Sequence, residues 1–122
     1  MNVYVYAADL YCFKCGEDIR ARLNAEGKAP EDPDDERTYD SDDYPKGPYG
    51  DGGGESDTVH HCGAHEGCLQ AFRVREGARF GAWLENPLTP EGVDYVRQAI
   101  ARDPHGAITR RWREWYAEEL AG

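Results

Sequence analysis

Short stretches of alternating side chains are the first pattern along the chain. Residues 3–6 alternate valine with tyrosine, which is the two-residue period of a β-strand. Residues 69–75 alternate again, Gly77 follows as a turn residue, and 79–84 form a second alternating stretch. This order predicts a β-hairpin in the second half of the chain, in addition to the strand near its start.

Three other stretches have the spacing of amphipathic helices. In 17–26 two aliphatic residues lie four apart, and Gly27 is placed to end the helix. A second helix begins after Thr89, a capping residue followed by proline, and ends at Asp103, which precedes another proline. A third covers 109–120. Together these elements predict an α+β fold with a small antiparallel sheet and two to three helices.

Large aromatic residues mark one face of the last predicted helix. Trp112, Trp115 and Tyr116 follow helical spacing. On a short helix such residues hold the helix to the core, whereas an exposed aromatic face would serve as a contact for a partner. We therefore expect these three side chains in the core.

The segment 28–57 differs in composition from the rest of the chain. Residues 26–57 contain twelve acidic and three basic residues, so a balance of −9 out of the net charge of −10 lies there. Prolines, a glycine run and few aliphatic residues leave little apolar surface to bury. We predict a flexible acidic loop over 28–57 within a single domain, 1–122. Its tyrosines, at every fifth position, either pin the loop to the body or remain as exposed contacts.

The strongly acidic balance narrows the classes of partner. Binding along a nucleic-acid backbone or to an anionic membrane requires clustered cations. The acidic balance therefore argues against both as direct partners. No apolar run approaches the length of a membrane-spanning helix. The first residues lack the basic and apolar regions of a signal peptide, so we expect a cytoplasmic location, where thiols stay reduced.

Cysteines and histidines give the strongest chemical signal. Cys12 and Cys15 are two residues apart and precede a glycine, which is the spacing of a zinc knuckle. A second cluster holds five potential metal ligands within nine positions. We predict one tetrahedral Zn²⁺ site made by Cys12, Cys15, Cys62 and Cys68. His65 competes as a ligand, because two residues separate it from each of the two later cysteines.

Three other interpretations of these residues stay open. The cysteines can be small buried apolar residues while the histidines are solvated. A C-x-x-C unit between a strand and a helix is also typical of thiol oxidoreductases, in which Cys12 would be the nucleophile. A catalytic zinc would keep one open position and use Glu66 as its base, but no H-E-x-x-H pattern follows.

A structural zinc fits the small size of the ordered part. A short domain with few aliphatic residues gains much of its folding free energy from a metal or from disulfides. We therefore predict that one zinc ion staples the sheet and helices together, as in zinc-ribbon or treble-clef domains. Without the metal the chain should be largely unfolded or molten.

Three motifs occur together in this chain: Y-C-x-x-C-G at 11–16, Asp-Ser-Asp-Asp-Tyr-Pro-Lys-Gly-Pro-Tyr at 40–49, and Leu-Glu-Asn-Pro-Leu-Thr at 84–89 followed by Gly92, Tyr95 and Val96. In this combination the chain resembles small zinc-knuckle proteins encoded by phages and their bacterial hosts. Several of those proteins carry a second C-x-x-C just before the Leu-Glu-Asn-Pro-Leu-Thr stretch, where this chain has the cluster 60–68. That group has no assigned activity, so the resemblance implies a phage or prophage setting and no chemistry.

These features predict a non-enzymatic protein-binding module with an acidic surface. The acidic run imitates the phosphates of a nucleic acid and would dock on a basic or nucleic-acid-binding protein. In a phage setting the target would be a nucleic-acid-handling or defence complex, as for an anti-CRISPR inhibitor. The predicted partner-binding residues are Asp40, Asp42, Asp43, Tyr44 and Tyr49. The alternative is that the acidic residues bind no partner and only keep the protein soluble.

Two other functions remain as alternatives. A zinc-finger regulator would contact DNA or RNA through Arg73, Arg75, Arg79 and the arginines of 110–113. A thiol oxidoreductase would use the C-x-x-C pair.

Overall fold

Residues 1–73 and 79–122 are described by a computed structural model of the chain. An antiparallel hairpin opens the fold, with β1 at Val3–Tyr6 and β2 at Asp9–Cys12. The two alanines of its turn have positive φ angles of 49° and 62°. A two-residue type I′ turn requires positive φ at both positions, where Asn-Gly is the usual pair. The sequence pattern did not predict β2 because this turn lacks that signal.

A third strand, β3 at Lys46–Tyr49, completes the sheet from within the acidic segment. The strand order is β2-β1-β3 with antiparallel pairing throughout, and the β1–β3 register is irregular between Val3 and Val5. The acidic segment also contains a 3-10 helix at Glu36–Thr38. Part of the predicted loop 28–57 is therefore ordered by pairing with the sheet.

Helix α1, Phe13–Ala25, begins four residues before the predicted start at 17. Cys12 is its N-cap residue and Cys15 lies in its first turn. Gly16, the glycine that follows the two cysteines, is also part of the helix. A Cβ at Gly16 would overlap the ring of Tyr4. The glycine therefore allows close packing of α1 against β1.

Tyr44 and Arg20 hold the acidic segment against the body. The ring of Tyr44 is 2% exposed, and its hydroxyl donates to Asn24 Oδ1 at 3.0 Å. The guanidinium of Arg20 donates to the carbonyl of Pro45 at 2.8 Å and lies 5.1 Å from the centre of the Tyr44 ring. Of the two roles open to this tyrosine, the structure assigns it the pinning one.

The second half starts with small elements around the predicted hairpin. A 3-10 helix covers His65–Gly67, and β4 at Phe72–Arg73 pairs antiparallel with β5 at Arg79–Phe80. The predicted turn at Gly77 lies outside the described residues, as does Arg75. Among the described residues, β4 begins at Phe72 rather than at the predicted 69, and β5 ends at Phe80 rather than at the predicted 84.

Helices make up the rest of the described chain. Helix α2, Pro90–Arg102, begins as predicted, because the Thr89 hydroxyl accepts from a backbone N–H of its first turn. The predicted helix 109–120 is two helices, α3 at Ala107–Trp115 and α4 at Ala117–Ala121. The described residues thus hold four α-helices rather than two to three. None of these helices combines the length and apolar character needed to cross a membrane.

A buried tyrosine causes the break between α3 and α4. Tyr116 has φ and ψ of −95° and 24°, and its ring is 2% exposed. Its hydroxyl donates to the backbone carbonyl of Asn86. The anchored ring therefore coincides with the point at which α3 ends and α4 begins.

Two hydrophobic clusters form the interior. The sheet cluster lies between the sheet, α1 and the segments 62–71 and 82–84, and the helix cluster lies between α2 and α3. Buried members of the sheet cluster are Val3, Cys12, Cys15, Cys62, Cys68, Ala82 and Leu84. Buried members of the helix cluster are Val96, Trp112 and Tyr116.

Candidate metal centre

The four cysteines come from two parts of the chain that meet in the sheet cluster. Cys12 ends β2 and caps α1, and Cys15 follows in the first helical turn. Cys62 follows an isolated β-bridge between His61 and Trp83. Cys68 comes directly after the second 3-10 helix.

The sulfur atoms have the spacing of a metal site. All four Sγ atoms lie within 4.8 Å of one another, and those of Cys12 and Cys68 are 3.6 Å apart. A tetrahedron with metal–sulfur bonds of about 2.3 Å places its sulfurs about 3.8 Å apart. A disulfide needs about 2.05 Å, and all four cysteines are free thiols. These residues can therefore hold a metal ion.

The loop between Cys62 and Cys68 is shaped by backbone hydrogen bonds. The Cys62 N–H donates to the carbonyl of Ala82 and the Gly63 N–H to that of Leu10, both at 2.7 Å. His65 has a φ of 52°, which lets the chain reverse between the two cysteines. The loop is thereby fixed against both the hairpin and the segment around Ala82.

Backbone N–H groups point at three of the sulfurs. The N–H groups of Cys12, Leu69 and Gln70 donate to the Sγ atoms of Cys62, Cys15 and Cys68, at 3.4, 3.2 and 3.3 Å. Such bonds stabilise thiolates more than thiols, because the acceptor then carries a full charge. These N–H groups therefore stabilise thiolates within an otherwise apolar interior.

The thiol pKa values follow from these contacts. A hydrogen bond from the Cys12 thiol lowers the pKa of Cys62 to about 5. The same bond, ahead of burial, raises the pKa of Cys12 itself. Burial raises the pKa of Cys15 to about 11. A bound cation would favour the thiolate form of every ligand.

His65, the predicted competing ligand, lies outside the sulfur cluster. It is exposed on the 3-10 helix, and the metal-ligating group found among the described residues consists of the four cysteines. His61 is partly buried and its Nδ1 lies 2.8 Å from the carbonyl oxygen of Gly81. Glu66, the base considered for a catalytic zinc, is exposed beside His65.

The predicted partner-binding residues differ in their exposure to solvent. Asp40, Asp42 and Asp43 are exposed. Tyr44 is buried, so its ring cannot contact a partner. Tyr49 is half-buried and its hydroxyl donates to the carboxylate of Glu36 at 3.0 Å. The aspartates remain the candidates for partner contact in this segment.

The arginines proposed for nucleic-acid contact are partly engaged elsewhere. Arg79 is exposed, and its guanidinium donates to the carbonyl of Cys68 at 3.4 Å. Arg113 donates to the carbonyl of Pro104 at 2.6 Å. Arg75 lies outside the described residues.

Asn86 is a buried residue whose role the sequence analysis missed. It is 0% exposed; its Oδ1 accepts from the His60 N–H at 2.9 Å, and its Nδ2 donates to the Thr58 carbonyl at 3.0 Å. It thus ties the segment leading to Cys62 to the start of α2. The available signal was a single amide between the leucines of the stretch Leu-Glu-Asn-Pro-Leu.

Comparison with protein-family models, with curated proteins and with solved structures finds no match to this chain. The assignment of the site therefore rests on the four sulfurs, their burial and their hydrogen bonds. Those features identify a candidate metal centre that joins two distant parts of the sequence.

Proposed function

We propose that this chain is a non-enzymatic, zinc-stabilised protein-binding module that presents an acidic surface to a basic partner. The observation that carries the zinc part is the group of four buried Sγ atoms within 4.8 Å. Four thiolates in a tetrahedral arrangement are the ligands of structural zinc or of iron. Zinc is the ion we assign.

The arrangement favours a structural role over a catalytic one. Four protein ligands fill a tetrahedral zinc, whereas a catalytic zinc keeps a position open for water. The burial of Cys12 also disfavours thiol–disulfide exchange, which needs an accessible nucleophile. A hairpin followed by a helix whose first turn supplies two ligands is typical of treble-clef domains, and we propose that class.

Metal analysis of the purified chain tests the zinc centre. We expect one Zn²⁺ per chain, with Cys12→Ser and Cys68→Ser losing it and His65→Ala keeping it. Iron in place of zinc would show as visible thiolate-to-metal absorption. A folded chain with four free thiols and no metal would contradict the proposal.

The acidic surface is proposed to bind a basic protein of a nucleic-acid-handling or defence complex. Asp40, Asp42 and Asp43 are exposed within the segment that holds most of the net charge. Acidic charge on one surface speeds association with a basic groove and makes binding sensitive to salt. A phage-type inhibitor that imitates nucleic acid would act in this way.

Affinity capture from a bacterial host, with matched variants, tests the partner. The triple variant of the three aspartates to asparagine should lose the captured protein. A control that changes the exposed acids Glu114, Glu118 and Glu119 to glutamine removes the same charge elsewhere and should keep it. Added nucleic acid should displace the partner.

Direct binding of a nucleic acid would contradict this proposal. The zinc-finger alternative predicts a gel shift that weakens steeply with salt. Equal loss of the partner in both triple variants would indicate a nonspecific charge effect and would also count against a defined acidic docking site.

A further inference from the structure

Cys15 differs from the other cysteines of the centre in its access to solvent. It is 5% exposed, whereas each of the other three is 0% exposed. Of the four, Cys15 alone is among the described residues that line a groove of about 540 Å³. The groove lies between the hairpin, α1 and the loop 63–69. An approaching molecule therefore meets Cys15 before it meets the other three cysteines.

We propose that Cys15 is an oxidation site at which a hydroperoxide opens the metal centre. The inference rests on the proposed zinc centre and adds a chemical sensitivity to it. Metal binding requires deprotonated cysteines. The thiolate is also the form that attacks a peroxide.

The reaction balances with hydrogen peroxide as the oxidant. The Cys15 thiolate attacks one peroxide oxygen, an S–O bond forms, the O–O bond breaks, and the departing hydroxide takes a proton to become water. A second thiolate attacks the resulting sulfenic sulfur, an S–S bond forms, and the S–O bond breaks to release a second water after protonation. Two thiolates lose two electrons, and one peroxide with two protons becomes two waters.

The cluster supplies the second thiolate without rearrangement of distant parts. Every other Sγ lies within 4.8 Å of that of Cys15, and Cys12 lies three residues away at the same helix end. A disulfide removes two of the four ligands. The remaining two cysteines do not complete a tetrahedral site, so the metal leaves.

Gly67 offers a way to close the groove. It lines the groove, and apart from its two chain neighbours none of the described residues has a heavy atom within 4 Å of a Cβ built there. A Gly67→Phe substitution therefore adds a ring to the groove without a clash at its Cβ. Gly50→Phe is the matched control, since the nearest atom to its Cβ is the Asn2 side-chain oxygen at 3.6 Å and Gly50 is not among the described groove residues.

The test exposes the zinc-loaded full chain to hydrogen peroxide and follows zinc release with a colorimetric chelator. Dimedone, which traps sulfenic acids, is added in a parallel sample, and the labelled cysteine is identified by mass spectrometry. We expect the first label on Cys15, one zinc released per disulfide, and several-fold slower release in Gly67→Phe. Gly50→Phe should release zinc at the original rate.

The outcomes separate this inference from the proposed function. First labelling at Cys62 or Cys68, or an unchanged rate in Gly67→Phe, overturns the role of Cys15 and leaves the zinc centre standing. A purified chain without metal overturns both.

Discussion

The sheet cluster and the helix cluster bury different types of residue. Four of the seven buried residues of the sheet cluster are cysteines, whereas the buried residues of the helix cluster are a valine and two aromatics. Sulfur ligands contribute most of their stabilising free energy only when a metal holds them, while aromatic rings contribute by burial alone. One small chain thus contains a cysteine cluster that can hold a metal ion and a second cluster of apolar and aromatic residues.

The segment 84–89 joins the two clusters. Leu84 is fully buried in the sheet cluster, and Leu88 packs against the helix cluster. Between them Asn86 fixes the backbone before Cys62. The Leu-Glu-Asn-Pro-Leu-Thr motif therefore has a structural explanation that needs no activity.

Metal removal should have the largest effect and should separate the clusters. Structural zinc contributes about 10–16 kcal/mol of apparent binding free energy to folding at neutral pH. With a strong chelator we expect β1, β2 and α1 to lose amide-exchange protection before α2 and α3 do. Simultaneous loss in both regions would show that the clusters form one cooperative unit.

Trp112→Ala should lower the free energy of unfolding of the helix cluster by about 3–5 kcal/mol, as other truncations of buried aromatic residues do. The indole is 7% exposed and lies between α2 and α3. Urea unfolding measures the loss, and metal titration should show little change in zinc affinity. Trp115, which the sequence pattern predicted in the core, is 53% exposed, so Trp115→Ala is the control with a smaller effect. A large drop in zinc affinity would contradict independent clusters.

Asn86→Ala should weaken the connection between the clusters. It leaves the His60 N–H and the Thr58 carbonyl without their buried partner, which costs about 2–4 kcal/mol. Thermal unfolding measures the loss, and Asn2→Ala, at an exposed asparagine, should stay near the original stability. Equal thermal stability of the two variants would contradict the connecting role of Asn86.

Alkaline pH should destabilise the helix cluster through Tyr116. Burial raises the pKa of this phenol. Its stabilising contribution is complete below the unfolded pKa of about 10 and is lost as the pH rises through the folded value. Tyr116→Phe should therefore unfold with a weaker pH dependence above pH 10, measured by near-ultraviolet circular dichroism in urea. An unchanged profile would assign the alkaline loss to other groups.

Ala8→Gly should have the smallest effect on the free energy of unfolding, and unlike the other substitutions it should increase it. Alanine in the left-handed region costs about 1 kcal/mol, part of which is offset because glycine gains entropy in the unfolded chain. We expect a net stabilisation of about 0.5 kcal/mol in the zinc-loaded protein. Ala82→Gly, at a buried alanine, should destabilise instead.

Local signals predicted the elements whose causes are local. The capping threonine and the following proline placed the start of α2, and valine–tyrosine alternation placed β1. Cysteine spacing predicted the four sulfurs that the structure brings together. For the strand, the helix start and each of the two cysteine pairs, the determining residues lie close together in sequence.

Elements with distant causes were missed or misplaced. β3 forms because Tyr44 and Arg20 hold its segment against the sheet, although the charge pattern there is typical of disorder. The helix break at Tyr116 depends on a carbonyl thirty residues away. Charge and periodicity describe single segments, so they contain no information about such partners.

The sequence by itself determined the thiol ligands, the acidic balance and the α+β class, because residue type and spacing fix those properties. Only the tertiary structure decided that Cys15 faces a groove, that Tyr44 is buried and that His65 lies outside the sulfur cluster. Exposure is a property of surroundings, and those surroundings are supplied by residues far away along the chain.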